Sequence, residues 1–461
     1  MKLNKYLLMA AMGLGLVACT ENDLVEGSDS NGAQNEGTTY VGFSLKFNAS
    51  NTRVTTTEEE NGTAAEQKIN SVYVLVADGD NVITIGSLSA TPEAPITSGT
   101  TKVVFATKPG KHDFYVVVNP DEVPSNAENG NAKTISGYFN SGVAFDLDNI
   151  ARTDDGGNFM MSSLQATECI LADNITQQQA TSGQKGDAKT NNFTLQVERV
   201  TAKITMTCAS EVLKEATTDE DSAEELGKIL NTESEYPVFN VKGMASHSCR
   251  MAQATIDEVE DNTWTGAKLS TKLLIGDTYS NATPVYCLEN LHTQGEYKQR
   301  NVTYVTLQTT FIPKQVLNLT TNNETLKDYN GYAASTKASF YVVRSGSNNV
   351  VGRYILADEL DTFRADDPDK LPTGVTSIEG PYKDGECWFG PIWIGQTDTN
   401  IQDAPVNRNT WYNLSITGLK LPGEPEEPEI DPDQPLVPDT HVAITLDVQP
   451  WNFIDREIDL Q

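Results

Sequence analysis

Two stretches at opposite ends of the chain alternate apolar and polar residues with a period of two. Near the start, Val41, Phe43, Leu45 and Phe47 alternate with Gly42, Ser44 and Lys46. At the end, Val442, Ile444, Leu446 and Val448 alternate with Ala443, Thr445, Asp447 and Gln449. Successive side chains of a strand point to opposite faces, so each stretch predicts a half-buried β-strand. Pro450 stops the second alternation, and Trp451, Phe453, Ile454, Ile458 and Leu460 continue in a shifted pattern that predicts a bulge or kink. The last strand follows GEPEEPEIDPDQPLVPDT (residues 423–440), an acidic, proline-rich tether. A regular strand on such a tether need not pair with its own domain, and can add to another molecule's sheet edge. Two ordinary edge strands of a β-domain would show the same alternation.

Between these ends the pattern is that of short strands separated by turn residues. Ile69 to Val76 is an apolar strand closed by Asp78-Gly79, with residues 81–87 returning as its hairpin partner. TKVVFA (101–106) and KHDFYVVV (111–118) flank Lys108-Pro109-Gly110, which predicts a second hairpin. Residues 119–190, rich in Asn, Gly, Gln and Ser, predict loops and one short helix. NFTLQVERVTAKITMT (192–207) alternates across a parity shift at Glu198-Arg199. Residues 211–231 have helical composition and heavy charge, predicting a solvated helical insertion. Further strands are predicted at 239–244, 302–311, 338–343, 388–394 and 409–419. The class is mainly β, with closely spaced strands and turns that suggest a sandwich, and a domain boundary falls near residue 192.

The 461 residues allow two or three domains. The net charge of −31 argues against nucleic acid and anionic lipid surfaces as partners. The N-terminus carries Lys2 and Lys5, an apolar run from Tyr6 to Val17, and the lipobox Leu16-Val17-Ala18-Cys19. In bacteria that pattern directs cleavage before the cysteine and its acylation, so residues 1–19 read as a lipoprotein signal and not a membrane span. Arg53 lies in a polar, threonine-rich segment that reads as an exposed loop, so a protease could remove the first strand and the last could replace it.

Candidate chemistry changes the picture little. His112, His247, His292 and His441 are isolated in sequence, and no zinc-protease, nucleophile-elbow, phosphate-loop or dinucleotide motif occurs. Residues 106–111 (ATKPGK) resemble the end of a phosphate loop, but Phe105 stands where its first glycine belongs. Acidic clusters at Asp146/Asp148, Asp366/Asp367/Asp369 and Asp431/Asp433 lack a calcium-loop spacing. Beyond Cys19, five distant cysteines show no C-x-x-C spacing, leaving room for a bridge or two but not for a disulfide framework. No catalytic residue, metal or cofactor is expected.

The lipobox, the loop arginine, ERVTAKI (198–204), RNTWYNLSI (408–416) and the closing VQPW (448–451) together resemble the fimbrillins, the major pilus subunits of Bacteroidia-type (type V) fimbriae. The resemblance implies two tandem transthyretin-like (Ig-like Greek-key) β-sandwich domains, 54–191 and 192–422, after a signal (1–19) and a propeptide (20–53). It implies lipidation at Cys19 and delivery to the outer membrane. It implies cleavage between Arg53 and Val54 by an arginine-specific, trypsin-like surface protease. The departing strand would carry Val41, Phe43, Leu45 and Phe47. The donor would lie within Val442 to Leu460, in the tether-and-donor segment 423–461, with Val442, Ile444, Leu446, Val448, Trp451 and Phe453 as its candidate residues. Copies would join head to tail into an extracellular fimbria with anchor and tip subunits, displaying faces to host or bacterial surface ligands. Having both Arg53 and a terminal strand, the chain reads as a shaft subunit. A tip or accessory subunit, a monomeric surface lipoprotein binding glycan or host protein through Trp264, Trp388 or Trp393, and a surface hydrolase are the other readings.

Overall fold

The computed structural model describes residues 37–47, 63–96, 101–127, 130–154, 157–184, 187–208, 212–215, 224–232, 234–251, 269–275, 282–319, 325–345, 349–396, 402–419, 422–436 and 442–450. The architecture is mainly β, and the chain forms two compact units. Unit 1 runs to Val200 and takes in Cys249–Gln253; unit 2 begins at Thr201.

Unit 1 contains β1 (Thr39–Phe47), β2 (Ser71–Asp78), β3 (Asn81–Ser89), β4 (Lys102–Thr107), β5 (Gly110–Val118), β6 (Met161–Ser162), β7 (Thr167–Leu171) and β8 (Asn192–Arg199). Their order is β3–β2–β5–β6–β8–β1–β4, with β7 also on β5. β8 serves two layers, because Asn192 to Val197 pair with β1 while Glu198 and Arg199 pair with β6. The end strands β3 and β4 approach each other, with Thr107 donating to the Thr84 hydroxyl at 3.0 Å and the Phe105 ring filling the space a side chain at Gly86 would need. β2 and β5 are buried on both faces. Phe114, Val116 and Val118 face the core shared with β1, while Tyr115 meets Phe139 at 5.5 Å on the other side. That outer face is covered by a segment in which Ile135, Tyr138, Phe139, Ile150 and Phe159 are all buried. Arg250 joins this unit by a bidentate pair with Asp121 (2.8 and 2.7 Å), by donating to the Tyr138 carbonyl at 2.9 Å, and by lying over the Tyr138 ring.

Three expectations fail here. β4 and β5 are strands but not a hairpin: β4 pairs with β1 and β5 with β2, so Lys108 and Pro109 carry the chain from one layer to the other. A strand from far away in sequence outcompetes the neighbour. Residues 119–190 contain not one short helix but α1 (Leu147–Ile150) and α2 (Gln177–Ser182), and they also supply β6 and β7. The third failure, in unit 2, is the helix expected over 211–231. The described part is an antiparallel strand pair, β10 (Val212–Glu215) with β11 (Glu224–Ile229), and Leu226, Ile229 and Leu230 are buried. Sheet pairing and burial override a helical composition worth only tenths of a kcal/mol per residue, ~0.5 on average.

The rest of unit 2 comprises β9 (Thr201–Cys208), β12 (Val238–Lys242), β13 (Leu269–Lys272), β14 (Leu274–Ile275), β15 (Val285–Leu288), β16 (Tyr304–Pro313), β17 (Phe340–Ser345), β18 (Asn349–Leu356), β19 (Val375–Tyr382), β20 (Glu386–Trp393), β21 (Thr410–Leu419) and β22 (Val442–Pro450). One sheet has the order β14–β9–β21–β22, with β15 on β9. Another is β10–β11–β16–β12–β13, with β20 on β16, and β17 lies between β18 and β19 in a third. Ile204, Met206, Phe239, Leu307, Phe311, Tyr412 and Leu414 share one core. The parity shift read in the sequence is real: Val200 separates β8 from β9, which leave in register with different partners.

Candidate functional site

β1 is an inserted strand rather than an edge. It runs parallel to β8, with Phe43 opposite Phe193 and Leu45 opposite Leu195, and antiparallel to β4, with Phe43 opposite Val103. Its removal would leave two strand edges with open backbone donors and acceptors. Val41, Phe43 and Leu45 are at most 2 % exposed. The Phe43 ring packs against Phe114 at 4.7 Å, Phe193 at 5.9 Å and Phe105 at 6.0 Å. Burying three such side chains contributes roughly 5–9 kcal/mol. Phe47 is in register with Val197 at the end of the strand.

The start of β1 is held by polar contacts absent from the sequence reading. Asn191, left-handed at φ 50°, donates from Nδ2 to the Thr39 hydroxyl (3.1 Å), the Tyr40 carbonyl (3.0 Å) and the Ala172 carbonyl (2.9 Å). Its carbonyl accepts from Gly42 N–H at 2.9 Å. Thr39 is fully buried, donates to the Ala172 carbonyl at 2.7 Å and accepts from Ile175 N–H at 3.2 Å. α2, started by a capping box between Thr176 and Gln179, lies against the same strand. A Cβ at Gly42 would stand 2.7 Å from the Ala180 carbonyl oxygen, so the glycine is required by close approach. The only sequence signal for this clamp is the Asn191-Asn192 pair that opens β8.

The other candidate strand, β22, is paired with β21 at the edge of its own sheet in unit 2. The segment before it is not a free tether. Gly423 and Glu424 are fixed by Tyr382 OH (2.8 Å) and by two backbone bonds with Trp388 (2.9 and 2.7 Å). Glu427 accepts from Thr306 at 3.1 Å and pairs with Lys242 at 3.2 Å. Gln299 binds the carbonyls of Gln434 and Pro435, each at 3.1 Å. Leu436 is buried with Tyr297, Tyr304 and Trp393, and Ile430 packs on the same group. Residues 423–436 thus form a strap along unit 2.

Cys19, Arg53, Val54, Trp264, Trp451 and Phe453 lie outside the described residues. Trp388 and Trp393 are buried, with the Trp388 indole N–H on Glu386 at 2.8 Å and Trp393 against Tyr304, so neither offers an open aromatic face. Asp146 caps α1, Asp367 accepts from Asp369 N–H and Asp431 from Asp433 N–H, which are turn roles rather than cation loops. Among the described residues no group of three or more His, Cys, Asp or Glu is disposed to hold a metal. His112 is buried against Asp78 at 2.5 Å. The five cysteines are buried thiols, not disulfides, and burial pushes the Cys287 thiol up to about 12.

Comparison with known families finds a match at the C-terminal end of the chain. Residues 381–457, which span β20, β21, the strap and β22, match the family described as "Major fimbrial subunit protein type IV, Fimbrillin, C-terminal". Over this stretch the chain is similar to the fimbrillins. No curated protein sequence matches the chain. Similar solved structures include a putative cell adhesion protein from Parabacteroides distasonis ATCC 8503, 13% identical, covering 92% of this chain and 99% of that one at a TM-score of 0.45. A fimbrilin from Porphyromonas gingivalis W83 is 13% identical over 91% of this chain and 99% of its own, with a TM-score of 0.43. The tip fimbrial protein Mfa3 of Porphyromonas gingivalis, truncated at its C-terminus, is 13% identical over 90% and 99%, with a TM-score of 0.39.

Proposed function

We infer that this chain is a fimbrillin, a shaft subunit of a cell-surface fimbria that polymerises by strand exchange after proteolysis. The observation that carries the reading is the position of β1: a strand between β8 and β4, preceding the candidate cleavage loop, whose buried Val41, Phe43 and Leu45 leave a hydrophobic slot when it goes. The lipidated precursor is held at the outer membrane through Cys19, with the slot filled by its own β1 and with β22 parked on β21. An arginine-specific protease cuts between Arg53 and Val54, and β1 leaves with the lipid. β22 of a neighbouring copy then leaves β21 and fills the slot. The contact is heterologous and does not close, so repetition gives a filament, with anchor and tip subunits at its ends. The two units then act as tandem transthyretin-like sandwiches of one subunit, and their outer faces serve adhesion and biofilm formation.

Mass spectrometry of the mature N-terminus on surface fibres is the test. Val54 is expected first, and Arg53→Ala is expected to leave lipidated monomers with no detergent-resistant ladder on gels. Robust fibres from Arg53→Ala overturn the cleavage step. Trp388 and Trp393 being buried disfavours a glycan-binding monomer built on those aromatics.

A further inference from the structure

Strand exchange leaves open which residues of the C-terminus enter the slot and in which register, and the slot itself is selective enough to answer. β1 reads TYVGFSLKF. Residues 440–448 read THVAITLDV. Thr, Val and Leu coincide at the first, third and seventh positions, and small, hydroxyl-bearing and apolar residues coincide at the fourth, sixth, fifth and ninth.

Resting on the exchange reading above, we propose that residues 440–448 of a second copy of this chain replace Thr39–Phe47 one for one and with the same polarity, Ala443 taking the place of Gly42. Three features of the slot fix this register. A Cβ on residue 42 would stand 2.7 Å from the Ala180 carbonyl oxygen of α2, so α2 must give way to admit even Ala443, and a larger side chain needs more room still. Moving the donor two residues either way brings Thr445 or His441 to that point. Moving it one residue turns every apolar side chain out of the core. Second, the proposed register delivers Val442, Ile444 and Leu446 to the places of Val41, Phe43 and Leu45, the residues buried in the slot. Reversing the donor about Ala443 instead puts Thr440 in the apolar place of Leu45. Third, Thr39 is fully buried and joined by hydrogen bonds to Ala172, Ile175 and Asn191. Departure of β1 leaves those three groups without it, and the Thr440 hydroxyl restores the same donor and acceptor.

Cross-linking of cleaved, purified full-length subunits tests the register. In unit 1 Ser44 stands opposite Lys102, so Thr445 of the incoming strand faces Lys102. The native thiols are buried, so engineered cysteines dominate the reaction. T445C combined with K102C is expected to trap intermolecular dimers with a short bifunctional thiol reagent, whereas A443C or D447C with K102C gives little product. A443L is expected to lower ladder yield about tenfold or more through overpacking against α2, while A443G keeps it. Thr440→Val is expected to speed fibre dissociation in denaturant and Thr440→Ser to restore wild-type behaviour. A ladder that cross-links best at A443C or D447C, or that forms at wild-type yield from A443L, overturns the register while leaving exchange standing. Wild-type chains that start at Val54 and stay monomeric overturn exchange itself.

Discussion

Thr39 and Asn191 are small polar residues in a place where polarity must be matched. Thr39→Val keeps the shape but leaves the Ile175 N–H short of a partner, while the Asn191 amide keeps the Tyr40 and Ala172 carbonyls. It should destabilise unit 1 of the uncut protein by about 1–3 kcal/mol in urea unfolding. The same substitution should change nothing in the cleaved fibre, from which Thr39 has departed. Asn191→Ala should weaken both states, since its amide contacts Ala172 as well as β1. A larger apolar residue offers the opposite effect: in the proposed register Ile444 takes the place of Phe43, among Phe105, Phe114 and Phe193. I444F should therefore give fibres that survive higher denaturant, read as the midpoint of ladder loss on gels. The roles of Thr39 and Asn191 were not legible in the sequence, because they depend on partners more than a hundred residues away.

At the scale of elements, alternation of apolar and polar residues located most strands, including β1, β2, β8, β9, β16 and β21, because burial of one face imposes it. It could not say which strands pair. The Pro-Gly turn between β4 and β5 reads as a hairpin, yet β1 captures β4. Composition also misled over 211–231, where Glu, Lys, Leu and Ala favour helix but β11 is claimed by the edge of β16. Gly227 shows why that strand is held: a Cβ there would meet the Phe311 ring at 2.3 Å and the Ile312 carbonyl at 2.4 Å. G227A should cost about 1–3 kcal/mol of unit 2 stability, measured by thermal unfolding, although alanine favours a helix over glycine. A stability gain would mean that the segment is helical after all.

For the molecule as a whole, the strap decides how much of the C-terminus is available to leave. Residues 423–436 read as a free spacer from their prolines and acids, and that composition concealed the contacts of Gln299, Trp388 and Leu436. Leu436→Asp should release the strap without unfolding unit 2, which limited proteolysis within 423–436 would report against an unchanged thermal transition. Exchange of β22 alone needs no such release, since the anchored part ends before the strand begins.

A fibre is pulled as well as built. In the proposed fibre, with each donor strand held in the next subunit, tension reaches unit 2 through the strap. Its attachments are spread from Tyr382 and Trp388 at one end to Gln299 and the Leu436 plug at the other. Force applied at Leu436 meets the plug and the Gln299 bonds before any sheet is stressed, so the strap would yield first and lengthen the filament while the subunits stay folded.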